Sequence, residues 1–181
     1  VYKPVGGEWS EPIIPHDDGT PTEHGFVTML PKNDGTFLLS WLDGRNTGGG
    51  DHDSGGHGGG GPMTIRTATL DMMGNLTQEA ELDSRVCDCC QTGGAMTLNG
   101  SVIVYRDRSE EEMRDMSFVR LVDNNWTEPK VVNSDGWKIA GCPVNGPRIA
   151  AFGNTTATAW FTAAEGIAKV KVTFMDDSGA S

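Results

Sequence analysis

Short apolar runs separated by tight turns extend along the chain and predict β-strands. Three pairs of runs predict β-hairpins, because each pair flanks a two-residue turn that tolerates positive φ. These hairpins span 25–43, 94–107 and 148–162, with Asp34-Gly35, Asn99-Gly100 and Gly153-Asn154 at their turns. Further strands are predicted at 63–70, 116–122 and 169–174, the last alternating apolar and polar residues as in a half-buried strand. No segment has convincing helical periodicity, and 110–113 could form one turn at most.

These predicted strands belong to an internal repeat. Two motifs return 117 residues later, and the returning strand of each hairpin ends in an aromatic residue. The first motif is Trp9-Ser10-Glu11-Pro12, repeated as Trp126-Thr127-Glu128-Pro129, and the second is Asp18-Gly19, repeated as Asp135-Gly136. The aromatic residues are Trp41, Tyr105 and Trp160. A weaker copy of the first motif starts at Leu76. The repeating unit is therefore about 50 to 67 residues. Four short strands in a unit of this length are typical of a β-propeller blade.

We therefore predict an all-β chain with about three four-stranded propeller blades, at approximately 1–75, 76–125 and 126–181. A single β-sandwich with accidental repeats is the alternative. Propellers usually have about 4–8 blades, so three do not close a ring. The chain would then be a partial propeller, half of a six-bladed ring completed as a homodimer, or part of a longer protein.

Composition narrows the classes of partner. The 181 residues include 14 Lys and Arg against 25 Asp and Glu, for a net charge of −11. This balance argues against nucleic acid and against an anionic membrane surface, because both require a basic face. No apolar run is long enough to span a membrane. The chain starts without Met and stops at 176–181 in what reads as a turn, so the absence of a targeting signal does not indicate a compartment.

Several motifs resemble a known family. The C-terminal segment 176–181 resembles the Asp-box turn of sialidase-like propellers, with Met175 where the motif has Ser. The segments 85–92, 104–109, 136–147 and 159–164 resemble bacterial secreted proteins of the sialidase-like, BNR-repeat type. The resemblance implies a six-bladed propeller and a secreted or periplasmic location. It also implies an exo-sialidase-like glycoside hydrolase acting on anionic, sialic-acid-type glycans, without a cofactor. A non-catalytic propeller that binds glycans or proteins through arginine-rich loops is the alternative.

Sialidase chemistry requires guanidinium groups to hold a carboxylate, and arginines concentrate between residues 85 and 120. We predict catalytic roles for Asp88, Arg106, Asp107, Arg108 and Asp115. We predict substrate contacts for Arg85, Arg114, Asn145 and Arg148. Because acids accompany these arginines, surface salt bridges are an equal alternative. Tyr105 could serve as a nucleophile, but its place in the repeat favours core packing.

The cysteines and one glycine-rich tract contain further candidates for disulfides and metal sites. Cys87, Cys89, Cys90 and Cys142 predict two disulfides in an exported protein, with Cys142 bridging to one of the other three. A four-thiolate zinc site and a Cu(I) site are the rivals. The tract 48–61 contains His52, Asp53 and His57, weak candidates for a divalent metal. A plain mobile loop is favoured there, and a lid over a central pocket is a further alternative.

Overall fold

A computed structural model describes residues 1, 3, 5–16, 18–48 and 60–176. Within these ranges the chain forms β-strands and one short 3₁₀ turn at Ala164–Gly166, which confirms the all-β prediction. None of the described segments has the length and apolar character of a membrane-spanning helix. The strands are β1 His24–Pro31, β2 Phe37–Asp43, β3 Thr64–Leu70, β4 Leu76–Asp83, β5 Gly93–Thr97, β6 Gly100–Arg106, β7 Met116–Val122, β8 Asn125–Trp126, β9 Lys130–Asn133, β10 Arg148–Phe152, β11 Thr155–Thr162 and β12 Lys169–Met175.

The strands form three antiparallel sheets that follow one another along the chain. The first sheet is β1-β2-β3-β4, the middle sheet is β5-β6-β7-β8 with β9 also paired to β7, and the third is β10-β11-β12. The three predicted hairpins are confirmed as β1–β2, β5–β6 and β10–β11. Among the described residues, the third sheet has three strands, where four were predicted. The expected boundary at 75/76 falls between β3 and β4 of one sheet, and that at 125/126 falls within β8.

The first strands of the three sheets lie side by side. β5 contacts β1 on one flank and β10 on the other. Gly94 permits the close approach of β5 to β1, because a Cβ at this position would lie 2.7 Å from Cγ2 of Thr28. Sheets that share an inner edge and fan outward in sequence order form a partial β-propeller.

The core lies between neighbouring sheets. One apolar cluster joins the first and middle sheets, and its buried members include Leu42, Ile65, Ile103 and Val119. A second cluster joins the middle and third sheets through Val102, Val104, Phe118 and Met175. The middle sheet is therefore covered on both faces.

Each sheet also carries an aromatic residue whose polar hydrogen is donated to an aspartate. The donors are the residues that end the repeated strands. The pairs are Trp41 Nε1 to Asp43 at 2.8 Å, Tyr105 Oη to Asp83 at 2.6 Å and Trp160 Nε1 to Asp135 at 2.7 Å. Tyr105 is fully buried, and burial together with the Asp83 carboxylate raises the pKa of its hydroxyl. This contradicts a nucleophilic role for Tyr105 and confirms that it packs in the core.

Candidate functional site

The starts of β1, β5 and β10 form one edge of the molecule, here called the inner rim. Thr92, directly before β5, donates to the carbonyl of Phe26 at 2.7 Å and shares a 2.7 Å hydrogen bond with the hydroxyl of Thr28. On the other flank, Gly146 N donates to Oε1 of Gln91 at 3.1 Å. These bonds fix the three inner strands against one another at the rim.

A pocket of about 370 Å³ opens at this rim. Its lining consists of backbone and mostly polar side chains from all three sheets: Phe26, Val27, Thr28, Gln91, Thr92, Gly93, Gly94, Arg148 and Ile149. Arg148 is exposed, and its Nη1 donates to the carbonyl of Pro147 at 2.9 Å. Asn145 is exposed nearby in sequence, and its Nδ2 donates to the carbonyl of Pro143 at 2.6 Å. Of the predicted substrate-contacting residues, Arg148 lines the pocket.

Arg106 occupies a different environment from the one predicted. Its side chain is 1% exposed and donates to the carbonyls of Asn145, Arg114 and Phe161 at 2.6–3.1 Å. Its guanidinium lies 4.8 Å from the ring centroid of Trp137. The guanidinium therefore bonds to two loops and to strand β11, and it is withheld from a substrate carboxylate. Alternation along the strand identified its face, but not the neighbouring segment that covers that face.

Two other arginines of this region, Arg108 and Arg114, pair with acids through buried guanidinium groups. Arg108 donates to Asp88 at 2.9 Å and to Glu112 at 2.8 Å, and Arg114 donates to Glu112 at 2.6 Å. The bond from Arg108, reinforced by Arg114, lowers the pKa of Glu112 to about 2. Arg114 is 1% exposed, so its guanidinium lies in the interior, and the predicted substrate contact by Arg114 stays a prediction. Ion pairing is present, but the guanidinium groups are buried rather than on the surface.

The remaining predicted acids are engaged in turns. Asp107 accepts hydrogen bonds from Ser117 Oγ at 2.9 Å and from Arg108 N at 2.6 Å. Burial, with the nearby Asp83 carboxylate, raises the pKa of Asp107. Asp115 accepts from the backbone of 136 and 137. Arg85 is half-buried at the end of β4. A catalytic role for these residues stays a prediction, and their contacts give each a structural one.

The cysteines converge but do not form the predicted disulfides. All four are free thiols; the Sγ atoms of Cys87 and Cys90 are 3.3 Å apart, and those of Cys87 and Cys89 are 3.9 Å apart. A disulfide requires about 2.0 Å between the sulfurs. Arg114 Nη1 donates to Cys87 Sγ at 3.1 Å. Hydrogen bonding with Cys89 and Cys90, together with Arg114, lowers the pKa of Cys87.

A histidine cluster at the inner rim was not predicted from the sequence. The rings of His16 and His24 stack with centroids 3.7 Å apart, and His24 Nε2 lies 2.7 Å from Oδ2 of Asp18. Burial raises the pKa of Asp18, but hydrogen bonds from Thr20 and His24 outweigh it and lower the pKa overall. Asp43 joins the cluster because strand pairing places it opposite His24. The repeated Asp18-Gly19 was the one sequence signal that could have marked this position.

The glycine-rich tract lies largely outside the described residues. His52, Asp53 and His57 lie outside the described residues, as does the Asp-box segment from 177 onward. A divalent metal at the three candidates, and a lid formed by the tract, therefore stay predictions.

Comparison with known proteins does not assign the chain to a family. No family model and no curated protein matches the sequence. Among solved structures, the chain is similar to β-1,2-mannobiose phosphorylase from Listeria innocua in complex with β-1,2-mannobiose, with 16% identity and a TM-score of 0.49. The alignment covers 88% of this chain and 46% of that one. A similarity at this level identifies neither a family nor a reaction, and the sialidase-like assignment stays a prediction.

Proposed function

We propose that the protein binds an anionic saccharide in the inner-rim pocket and does not hydrolyse it. The observation that carries this proposal is the exposed guanidinium of Arg148 beside a polar pocket formed by three sheets. In a chain of net charge −11, an anionic ligand needs a local cation, and a guanidinium can hold a carboxylate through two hydrogen bonds.

The rest of the pocket supports a sugar as the ligand. Thr28 and Thr92 contribute hydroxyls to the lining, and Gln91 contributes an amide. Gly146 orients that amide by donating to Oε1, which leaves Nε2 of Gln91 as a donor for a ligand. A few fixed polar groups around a concave surface are typical of small-molecule sites.

Hydrolysis is disfavoured by the state of the residues that would perform it. Arg106 and Arg114 are buried and hydrogen-bonded, and the Tyr105 hydroxyl donates to Asp83 inside the core. None of these three can contact a sugar without local unfolding. The non-catalytic alternative therefore fits the side-chain contacts better than the sialidase one. Export of the protein stays a prediction.

Calorimetric titration with sialyllactose, with lactose as the neutral sugar, tests the proposal. We expect sialyllactose to bind more tightly than lactose. We expect Arg148→Ala to weaken sialyllactose binding by at least about tenfold, the loss of one charge-assisted interaction. Lys130→Ala is the matched control, because it also removes one exposed positive charge but lies on the outer strand β9.

Two results would overturn the proposal. One is equal sialyllactose affinity for the wild type and Arg148→Ala. The other is turnover of a fluorogenic sialoside by the wild type, which would restore the hydrolase interpretation. Arg148→Lys separates charge from geometry, since lysine keeps the charge but cannot make the paired guanidinium contact.

A further inference from the structure

The cysteines of the β4–β5 loop form a compact sulfur cluster in an anchored segment. The Sγ atoms of Cys87, Cys89 and Cys90 all lie within 4.8 Å of one another. The loop that carries them is anchored before the cysteines, where Val86 N donates to the Met63 carbonyl at 2.9 Å and Cys87 N donates to the Arg106 carbonyl at 3.0 Å. After the cysteines, the Thr92 hydroxyl donates to the Phe26 carbonyl at 2.7 Å. The three sulfurs are therefore positioned by the fold.

The sulfur spacing is close to that required by a shared metal ion. With metal–sulfur bonds of about 2.3 Å, sulfurs are separated by about 3.8 Å in a tetrahedral arrangement and about 4.0 Å in a trigonal one. The Cys87–Cys89 separation is already 3.9 Å. The Cys87–Cys90 separation of 3.3 Å must increase by about 0.5 Å to reach this range. A rotation of one side chain supplies such a change.

Two buried guanidinium groups provide the charge that several thiolates would need. Arg114 donates to Cys87 Sγ at 3.1 Å and is held by Glu112 at 2.6 Å, while its buried Nε has no hydrogen-bond partner. Arg106 lies next to Cys90, and no carboxylate in the described part of the chain hydrogen bonds to it. Buried charges require compensation, and thiolates at this position would compensate both arginines.

Cys142 lies on the solvent side of the cluster. It is exposed, and its side chain is near that of Cys89, although it lies outside the group of three sulfurs within 4.8 Å of one another. The cluster therefore has three ligands fixed by the fold and a fourth thiol at its open side, where an incoming ion would first meet sulfur.

We propose that Cys87, Cys89 and Cys90 bind one Cu(I) ion as thiolates, with Cys142 contacting the ion from the exposed side. Thiolates select soft cations, and three converged sulfurs suit Cu(I), whereas structural zinc almost always takes four fixed ligands. Each ligating thiol releases its proton to solvent, and no electron is transferred. None of the four cysteines is among the residues that line the saccharide pocket.

Anaerobic titration of the reduced full chain with Cu(I), in competition with the colorimetric chelator bathocuproine disulfonate, tests the proposal. We expect the protein to remove one equivalent of Cu(I) from the chelator and to develop near-ultraviolet thiolate-to-copper absorption. We expect Cys89→Ser to weaken Cu(I) binding by more than about tenfold, because it removes a ligand. We expect Arg114→Lys to weaken Cu(I) binding by about tenfold, the effect typical of a group that hydrogen bonds to a metal ligand. Met96→Leu is the control, because it removes a sulfur at the far end of the β5–β6 hairpin.

Several outcomes would overturn the assignment. They are a wild type that cannot compete with the chelator, a preference for Zn²⁺ over Cu(I), and Cys89→Ser binding as tightly as Met96→Leu. Two or fewer titratable thiols in purified protein without metal would also overturn it in favour of disulfides. Should Cys89→Ser fail to fold, X-ray absorption of the copper-loaded wild type decides: three sulfur neighbours support the proposal, and nitrogen or oxygen neighbours reject it.

Discussion

The middle and third sheets have the same hairpin plan but differ sharply in burial. Six of the seven residues of β6 are buried, because the first sheet covers one face and the third sheet the other. In the third sheet, Val172 and Phe174 on β12 are 59% and 65% exposed. A strand with alternating apolar residues does not bury them by itself. In this architecture, the apolar residues of one sheet are buried by the next sheet along the chain.

The largest expected effect is at the contact between these sheets, where Arg106 of β6 reaches Phe161 of β11. Arg106→Met leaves one buried and two part-buried carbonyls without this donor, and the loss of a buried hydrogen bond costs about 1–3 kcal/mol. We expect the free energy of unfolding to fall by at least about 3 kcal/mol, measured by urea denaturation. Arg148→Met, at the exposed arginine, should change it by less than about 0.5 kcal/mol. Equal midpoints for the two variants would contradict the structural role of Arg106.

Apolar truncation compares the two sheets without charge effects. Ile103→Ala removes a fully buried side chain of the middle sheet and should cost about 2–5 kcal/mol. Val172→Ala in the third sheet should cost less than about 0.5 kcal/mol in the isolated chain. Chemical denaturation of both variants measures the difference. A large cost at Val172 would mean that something covers β12 in solution.

Low pH should reduce the stability of the chain by protonating Glu112, which lies in the loop between β6 and β7. Hydrogen bonds from Arg108 and Arg114 lower the pKa of Glu112 from 4.5 to about 2. The unfolded chain therefore binds this proton more readily, and stability falls as the pH drops from 4.5 toward 2. Denaturation midpoints measured across this range should decline less steeply for Glu112→Gln than for the wild type. Parallel profiles would show that the carboxylate does not contribute.

The smallest effect on the folded chain is expected from Val172→Lys, which adds a charge to the exposed face of β12. The prediction of a homodimer that completes the ring makes this variant informative. If a second copy covers the face, light scattering should give twice the 19.3 kDa chain mass for the wild type and the single mass for Val172→Lys. A monomeric wild type would contradict the homodimer prediction.

The sequence predicts local structure here better than it predicts the surroundings of individual side chains. The turn pairs at Gly35, Gly100 and Gly153 were sufficient for three hairpins, because positive φ at a turn is a local requirement. Strand alternation assigned Arg106 to a face, but its covering depends on Phe161, which lies 55 residues further along the chain. Long-range packing of this kind leaves no local pattern.

The same limit applies to the candidate sites. The four cysteines were identified from the sequence, but their convergence without disulfides depends on how the β4–β5 loop is anchored. The histidine cluster was missed because Asp18 and Asp43 become neighbours through the pairing of β1 with β2. The separation of Asp18 and Asp43 along the sequence does not indicate that they are close in space.

Two of the aromatic–aspartate pairs give the first and third sheets separate spectroscopic reporters. The indole hydrogens of Trp41 and Trp160 are held by Asp43 and Asp135 in buried surroundings, one pair in the first sheet and one bridging into the third. Hydrogens held in this way exchange with solvent only when the local structure opens. The exchange rates of these two indole hydrogens therefore report separately on the local opening of the first sheet and of the third sheet.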